Sequence, residues 1–133
     1  MLRIRNAQLQ VFELRRIEQL VERLLQTLPE RWPATATSLG EPGLRAFILT
    51  GIERCKRYGI DTEVEAVRYL DLMFRLGRDF DTSPAYPWAG EILGAAQLTS
   101  RGKLNILEFR ARMELGEEAY QAMEAGRAAT ERT

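Results

Sequence analysis

One spacing recurs through most of this chain and limits what it can fold into. Between Ala7 and Leu28 the apolar residues fall at Leu9, Phe12, Ile17, Leu20, Val21, Leu24, Leu25 and Leu28. Steps of three and four place them on one broad face of an α-helix. Glu13, Arg16, Glu22 and Arg23 fall on the opposite face, as a solvated side requires. The spacing predicts a helix that Asn6 caps with its side-chain oxygen. It is expected to end at Leu28, because Pro29 drives the residue before it out of helical geometry.

Helical signals return along the rest of the chain. Leu44, Phe47, Ile48, Ile52 and Cys55 predict a helix from Pro42 or Leu44 to Tyr58, with Gly59 in the left-handed position just past its end. Arg54, Lys56 and Arg57 lie in its last turn, where cations suit the negative end of the dipole. Thr62-Glu63-Val64-Glu65 reads as a capping box opening a third helix that runs to Leu76 and stops at Gly77. Val64, Val67, Leu70 and Phe74 line one of its sides and Tyr69, Leu72, Met73 and Leu76 another. A helix apolar on several sides belongs in the middle of a bundle. Pro87 starts a short helix from Trp88 to Ala96, and Ser100 caps a last one from Arg101 to Ala125, weakened at Gly116. Residues 29–43, with three prolines, are expected to be an irregular connection in which Trp32 pins the chain to the core. The only strand-like alternation is Leu2-Arg3-Ile4-Arg5, too short to stand alone, though it could add to the sheet edge of a partner. The expectation is an all-α, compact single-domain bundle of five or six helices without a sheet, spanning residues 1–125, with 126–133 a frayed tail.

Composition then narrows function. Lys and Arg number 19, as do Asp and Glu, so the net charge is zero, which argues against a general nucleic-acid binder. The charge is unevenly spread. Residues 1–60 carry ten basic and six acidic side chains, and residues 61–133 carry nine and thirteen. The halves can attract each other, or each can face a partner of opposite sign. With no histidine, the commonest general base and zinc ligand is missing. The single cysteine, Cys55, sits in an apolar helical pattern and reads as a small core residue. The opening MLRIRNAQLQ has no apolar stretch of signal-peptide length, and no apolar run approaches a membrane span. A cytoplasmic protein is expected, with no membrane partner.

The run Leu76 to Leu93, LGRDFDTSPAYPWAGEIL, gathers acids, aromatics and prolines. Asp79 and Asp81, with Glu91, could divide acid and base roles or bind a metal in a small carboxylate-dependent enzyme. The stretch starts like a calcium loop. It lacks glycine at the sixth place, where Pro84 stands, and its glutamate, Glu91, comes one residue late. Local roles are simpler. Gly77 ends a helix, Asp79 forms an Asx turn, Asp81 or Ser83 caps the next helix, and Phe80 and Trp88 fill the core. No catalytic residue, cofactor or metal site is assigned. The residues expected to touch a partner are Trp32, Arg75, Arg78, Asp79 and Asp81.

The opening LRIRNAQLQVFE and the run from Gly51 to Leu93 resemble small helical proteins encoded beside bacterial type VI secretion effector and adaptor-chaperone genes. The shared pattern is a YGI turn (Tyr58-Gly59-Ile60), an acidic helix start from Thr62 to Glu65 and a helix ending at Leu76-Gly77. The Asp79-Phe80-Asp81 step, Pro87-Trp88-Ala89 and Ile92-Leu93 complete it. Gly59, Thr62, Gly77, Phe80, Pro87 and Trp88 are the structural signature. The resemblance implies a non-catalytic accessory protein or co-chaperone that binds an adaptor chaperone or effector before secretion. An immunity protein against a neighbour-encoded toxin, or a small domain detached from a larger effector, stays open, as does a homodimer.

Overall fold

The computed structural model describes the backbone of residues 2–123 and the side chains of residues 14–123. The described residues form six helices and no strand. The expected tail, 126–133, and the side chains of Leu9 and Phe12 lie outside what is described.

Helix α1 spans Leu2–Arg31. It contains the stretch considered as strand, and Asn6 lies inside it rather than capping it. It also runs through Pro29, where an end was expected. Proline forfeits its own N–H bond and crowds the carbonyl one turn back, but leaves the bonds that follow it open. The Trp32 N–H still donates to the Leu28 carbonyl at 2.7 Å, carrying the turn past the proline. Leu28 and Trp32 stand four apart and are both buried, so packing holds that turn.

Helix α2 spans Pro33–Arg57, so the expected irregular connection is mostly helical. Its prolines explain why. Pro33 opens the helix, where a missing N–H is no loss. Pro42 follows a kink at Gly40 (φ 70°, ψ 171°), a backbone conformation suited to glycine. The chain reverses at Trp32 alone, and Arg45 on α2 reaches back to Glu22 on α1 at 3.0 Å. At its other end α2 closes in a Schellman motif. Gly59 (φ 76°) donates to the Lys56 carbonyl, and Ile60 donates to that of Cys55 at 2.8 Å.

Helix α3, Glu63–Leu76, begins as its sequence requires. The Thr62 hydroxyl accepts the Glu65 N–H at 3.2 Å, and Glu65 Oε1 meets that hydroxyl at 2.6 Å. The Thr62 and Ser100 hydroxyls hold the Glu65 carboxyl below the usual carboxylate range. Tyr69, Leu70, Leu72 and Met73 are fully buried, and α3 packs between α2 and α5, the middle position that its apolar sides imply. Val64 departs from that pattern at 73% exposed, because it sits in the first turn at the rim of the bundle. Closest approach of α2 to α3 is at Gly51. A Cβ there would press into the Leu70 side chain and lie 2.9 Å from Met73 Sδ.

Helix α4, Pro87–Leu93, buries Trp88, Ala89 and Leu93 and is shorter than expected. Helix α5, Ser100–Leu115, is capped by Thr99, whose hydroxyl accepts the Gly102 N–H at 3.0 Å, rather than by Ser100. Gly116 (φ 86°) ends it outright, and a separate helix, α6, covers 117–123. Leu104, Leu107 and Ala111 face the core, while Phe109 and Met113 face outward. Among the described residues no helix is long and apolar enough to cross a membrane.

Candidate protein-interaction surface

The Asp79–Asp81 step is drawn together by one guanidinium from another helix. Gly77 (φ 111°) ends α3, and short turns follow, with Phe80 N–H donating to the Gly77 carbonyl and Ser83 N–H to that of Phe80. Phe80 points inward and tilts against Tyr69 at 5.2 Å between ring centroids. That places the aspartates on either side of Arg54. Its Nη2 donates to Asp79 Oδ1 and its Nη1 to Asp81 Oδ1, each at 2.8 Å, and Nη1 also reaches the Arg78 carbonyl. Asp81 is buried and accepts the Tyr58 hydroxyl at 2.6 Å. Asp79 is half exposed. Arg54, then Arg78, holds its carboxyl below the usual range. Burial, reinforced by Asp81, pushes the Tyr58 hydroxyl up.

This geometry corrects several assignments. Asp81 does not cap α4, whose N-cap is Tyr86 without a side-chain bond. The Ser83 hydroxyl accepts the Ala85 N–H within the loop instead. Arg54 serves a tertiary ion-pair network as well as the helix end. Both carboxylates are engaged by cations, and Asp81 has no open cleft before it, so the pair is arranged as a staple. Among the described residues no group of three or more His, Cys, Asp or Glu side chains could hold a metal ion. Cys55 is buried in the core, and desolvation pushes its thiol up to about 12.

Three of the five expected contact residues are turned inward. Trp32 stacks on Phe74 at 5.2 Å, nearly parallel, as its pinning role implies. Arg75 is buried between the Trp32 and Tyr120 rings, 5.4 and 3.7 Å from their centroids, and donates to Asp71 and to the Tyr120 carbonyl. Asp81 is closed over. Arg78 and Asp79 remain at the surface, paired to each other at 3.3 Å.

A broad concavity lies elsewhere. A groove of about 810 Å³ runs between α1, the end of α2 and the turn into α3. Ile17, Leu20, Ile52, Ile60 and Ala66 give it an apolar floor. Arg16 and Lys56 stand on its rim with Asp61 and Glu63. Sequence reasoning placed these residues on two helices, a turn and the start of a third helix without seeing that they meet, because no local spacing joins them. The basic first half and acidic second half are the one signal that pointed across the fold. Arg23–Glu63, Arg31–Asp71 and Arg54 with both aspartates all join the first sixty residues to the rest. Trp88 on α4 carries another cation contact, with the Arg110 guanidinium 5.4 Å from its ring centroid. No family model, curated protein or solved structure matches this chain.

Proposed function

We propose that this chain is a protein-interaction module that receives an amphipathic segment of a second protein in the groove between α1, the end of α2 and the α2–α3 turn. The observation that carries the reading is the groove itself, apolar at its floor and bearing both signs of charge on its rim. An apolar floor suits the anchoring side chains of a helix or extended segment, and a mixed rim fixes its direction. The type VI resemblance supplies the partner class, an adaptor chaperone or effector encoded beside the chain, with the chain acting as accessory or co-chaperone. Locking Asp79 and Asp81 to Arg54 favours this reading over a carboxylate enzyme built on them.

Co-expression with the products of the flanking genes, followed by gel filtration, tests it. A stable complex is expected, and Ile17→Arg is expected to weaken it at least tenfold, about 1.4 kcal/mol, with little change in melting temperature. Absence of a complex with every neighbour product would count against the reading. Growth rescue from a neighbouring toxin would make the bound partner that toxin and the chain its inhibitor.

A further inference from the structure

We infer that Lys103, on α5, is a positioning residue for the groove: from outside it, Lys103 fixes the α2–α3 turn that forms one of its walls. The inference rests on the docking reading above and names a residue that the lining does not contain. Lys103 is 8% exposed, and its ammonium donates to the Tyr58 carbonyl at 2.7 Å. Among the described residues no carboxylate pairs with it. An ammonium taken out of water without a counter-charge costs stability, so packing alone does not account for a lysine at this position. Its own helix does not call for it either. Lys103 lies near the start of α5, where the dipole disfavours a cation.

The carboxyl end of α2 is what answers the charge. Tyr58 caps that end, and among the described residues its carbonyl takes no backbone N–H. Lys103 supplies the missing donor, and it sets a cation at the negative end of the α2 dipole.

Tyr58 stands at the edge of the groove, and the residues after it build the wall. Gly59, Ile60, Asp61, Thr62 and Glu63 all line it, with Ile60 buried in the floor. Backbone bonds shape the turn, from the Gly59 N–H to the Lys56 carbonyl and from the Ile60 N–H to the Cys55 carbonyl. Both run back into α2, so they fix the form of the turn and leave its spacing from α1 open. That spacing sets the width of the groove. Polar contacts from other elements reach the turn at Arg23, Asp81 and Lys103. Arg23 meets Glu63 where both side chains are 54% exposed, which makes a weak tie. Asp81 holds only the far end of the Tyr58 side chain, its hydroxyl. Lys103 alone of these grips the backbone of the turn, and it does so from an element that contributes nothing to the lining.

Lys103→Met tests this, because it keeps the length of the buried chain and removes the ammonium. Amide hydrogen exchange of the native protein reads the turn, and thermal melting reads the fold. The Gly59 and Ile60 amides are expected to exchange at least tenfold faster, while the Leu70 amide within α3 keeps the parent rate. The melting temperature should stay close to the parent's, since relief of a buried charge offsets the loss of the carbonyl's partner. With a flanking-gene product that binds the parent, Lys103→Met should weaken the complex several-fold. Lys103→Arg keeps a cation with its donors and should hold every readout near the parent. If Lys103→Met does not fold, Lys103→Gln carries the same expectations. Gly59 and Ile60 exchanging at parent rates overturn the inference. So does faster exchange at Ile60 and Leu70 alike with a lower melting temperature, which would make Lys103 a support of the whole fold. A complex broken by Ile17→Arg and untouched by Lys103→Met overturns it and leaves the docking reading in place. Where no flanking product binds, the docking reading falls, and exchange at Gly59 and Ile60 still upholds or overturns the anchoring of the turn.

Discussion

At the scale of single residues the two aspartates of the Asp79-Phe80-Asp81 step have the same neighbour and different environments. Asp81 is sealed in, with Arg54 on one oxygen and the Tyr58 hydroxyl on the other. Asp81→Asn leaves the Arg54 charge half-answered in a poorly solvated place, and an urea titration should show a loss of about 2–3 kcal/mol, near the lower range for breaking a buried pair. Asp79 is half exposed, and Asp79→Asn should cost under about 1 kcal/mol. Equal losses would show that both serve the same structural role. The lowered carboxyls of Asp79 and Glu65 fix a sign for pH dependence. Their stabilisation is present above the ordinary carboxylate range and is lost as pH falls through their depressed values. Cys55 works at the alkaline end. Its thiol rises from 9.0 to about 12 on folding, so its contribution is intact below pH 9.0 and fades as pH climbs toward about 12. A thiol reagent at neutral pH should label Cys55 no faster than the protein unfolds; prompt labelling of native protein would show an accessible thiol. The core role of Cys55 was legible because apolar side chains at helical spacing announce burial, and those of Phe80 and Trp88 because large aromatics beside a helix end close the core. The Arg54 staple was not, since its partners lie more than twenty residues on and nothing in local spacing points from one to the other.

At the scale of elements, period was a sound guide to which segments are helical and a poor one to where they stop. Apolar spacing located α1, α3 and the inner face of α5, because burying a face is what makes those segments helical. The prolines misled. Pro29 costs α1 one bond and a crowded carbonyl a turn back without ending it, and Pro33 and Pro42 stand where a helix or half-helix begins. The kink between the halves of α2 rests on Gly40, whose φ of 70° disfavours any side chain. Gly51 is needed for room instead. It lies in ordinary helix and lets α2 settle onto Leu70 and Met73. Gly51→Ala is a favourable change by helix propensity, worth up to about 1 kcal/mol. Overpacking opposes it by about 1–3 kcal/mol, because the fully buried Leu70 and Met73 side chains would both have to shift. The net expectation is a destabilised protein with a lowered melting temperature. A variant as stable as the parent would mean that α2 and α3 are less closely packed than the 2.9 Å approach to Met73 requires.

At the scale of the whole molecule, the last described helix closes the bundle. After Gly116 turns the chain, α6 returns Tyr120 to the end of α3, where its ring covers the Arg75 guanidinium and its carbonyl accepts from it. Arg75 carries the contact on to the Trp32 ring at the α1–α2 corner, so α6 and that corner meet through one buried cation. Sequence reading took α5 and α6 for one continuous helix. A single glycine in a periodic stretch reads as a weak point, and the reversal becomes visible only when Tyr120 is seen buried against α3. Removing that ring should therefore act far from its own helix. Tyr120→Ala takes away a buried aromatic and uncovers a buried charge, and should cost about 3–5 kcal/mol in urea unfolding. It should also redden Trp32 emission, read in a Trp88→Phe background so that one indole reports. Tyr120→Phe keeps the ring over Arg75 and should hold both stability and emission near the parent. If Tyr120→Ala leaves the emission unmoved while stability falls, α6 packs as a local appendage and the clasp through Arg75 does not couple it to the corner.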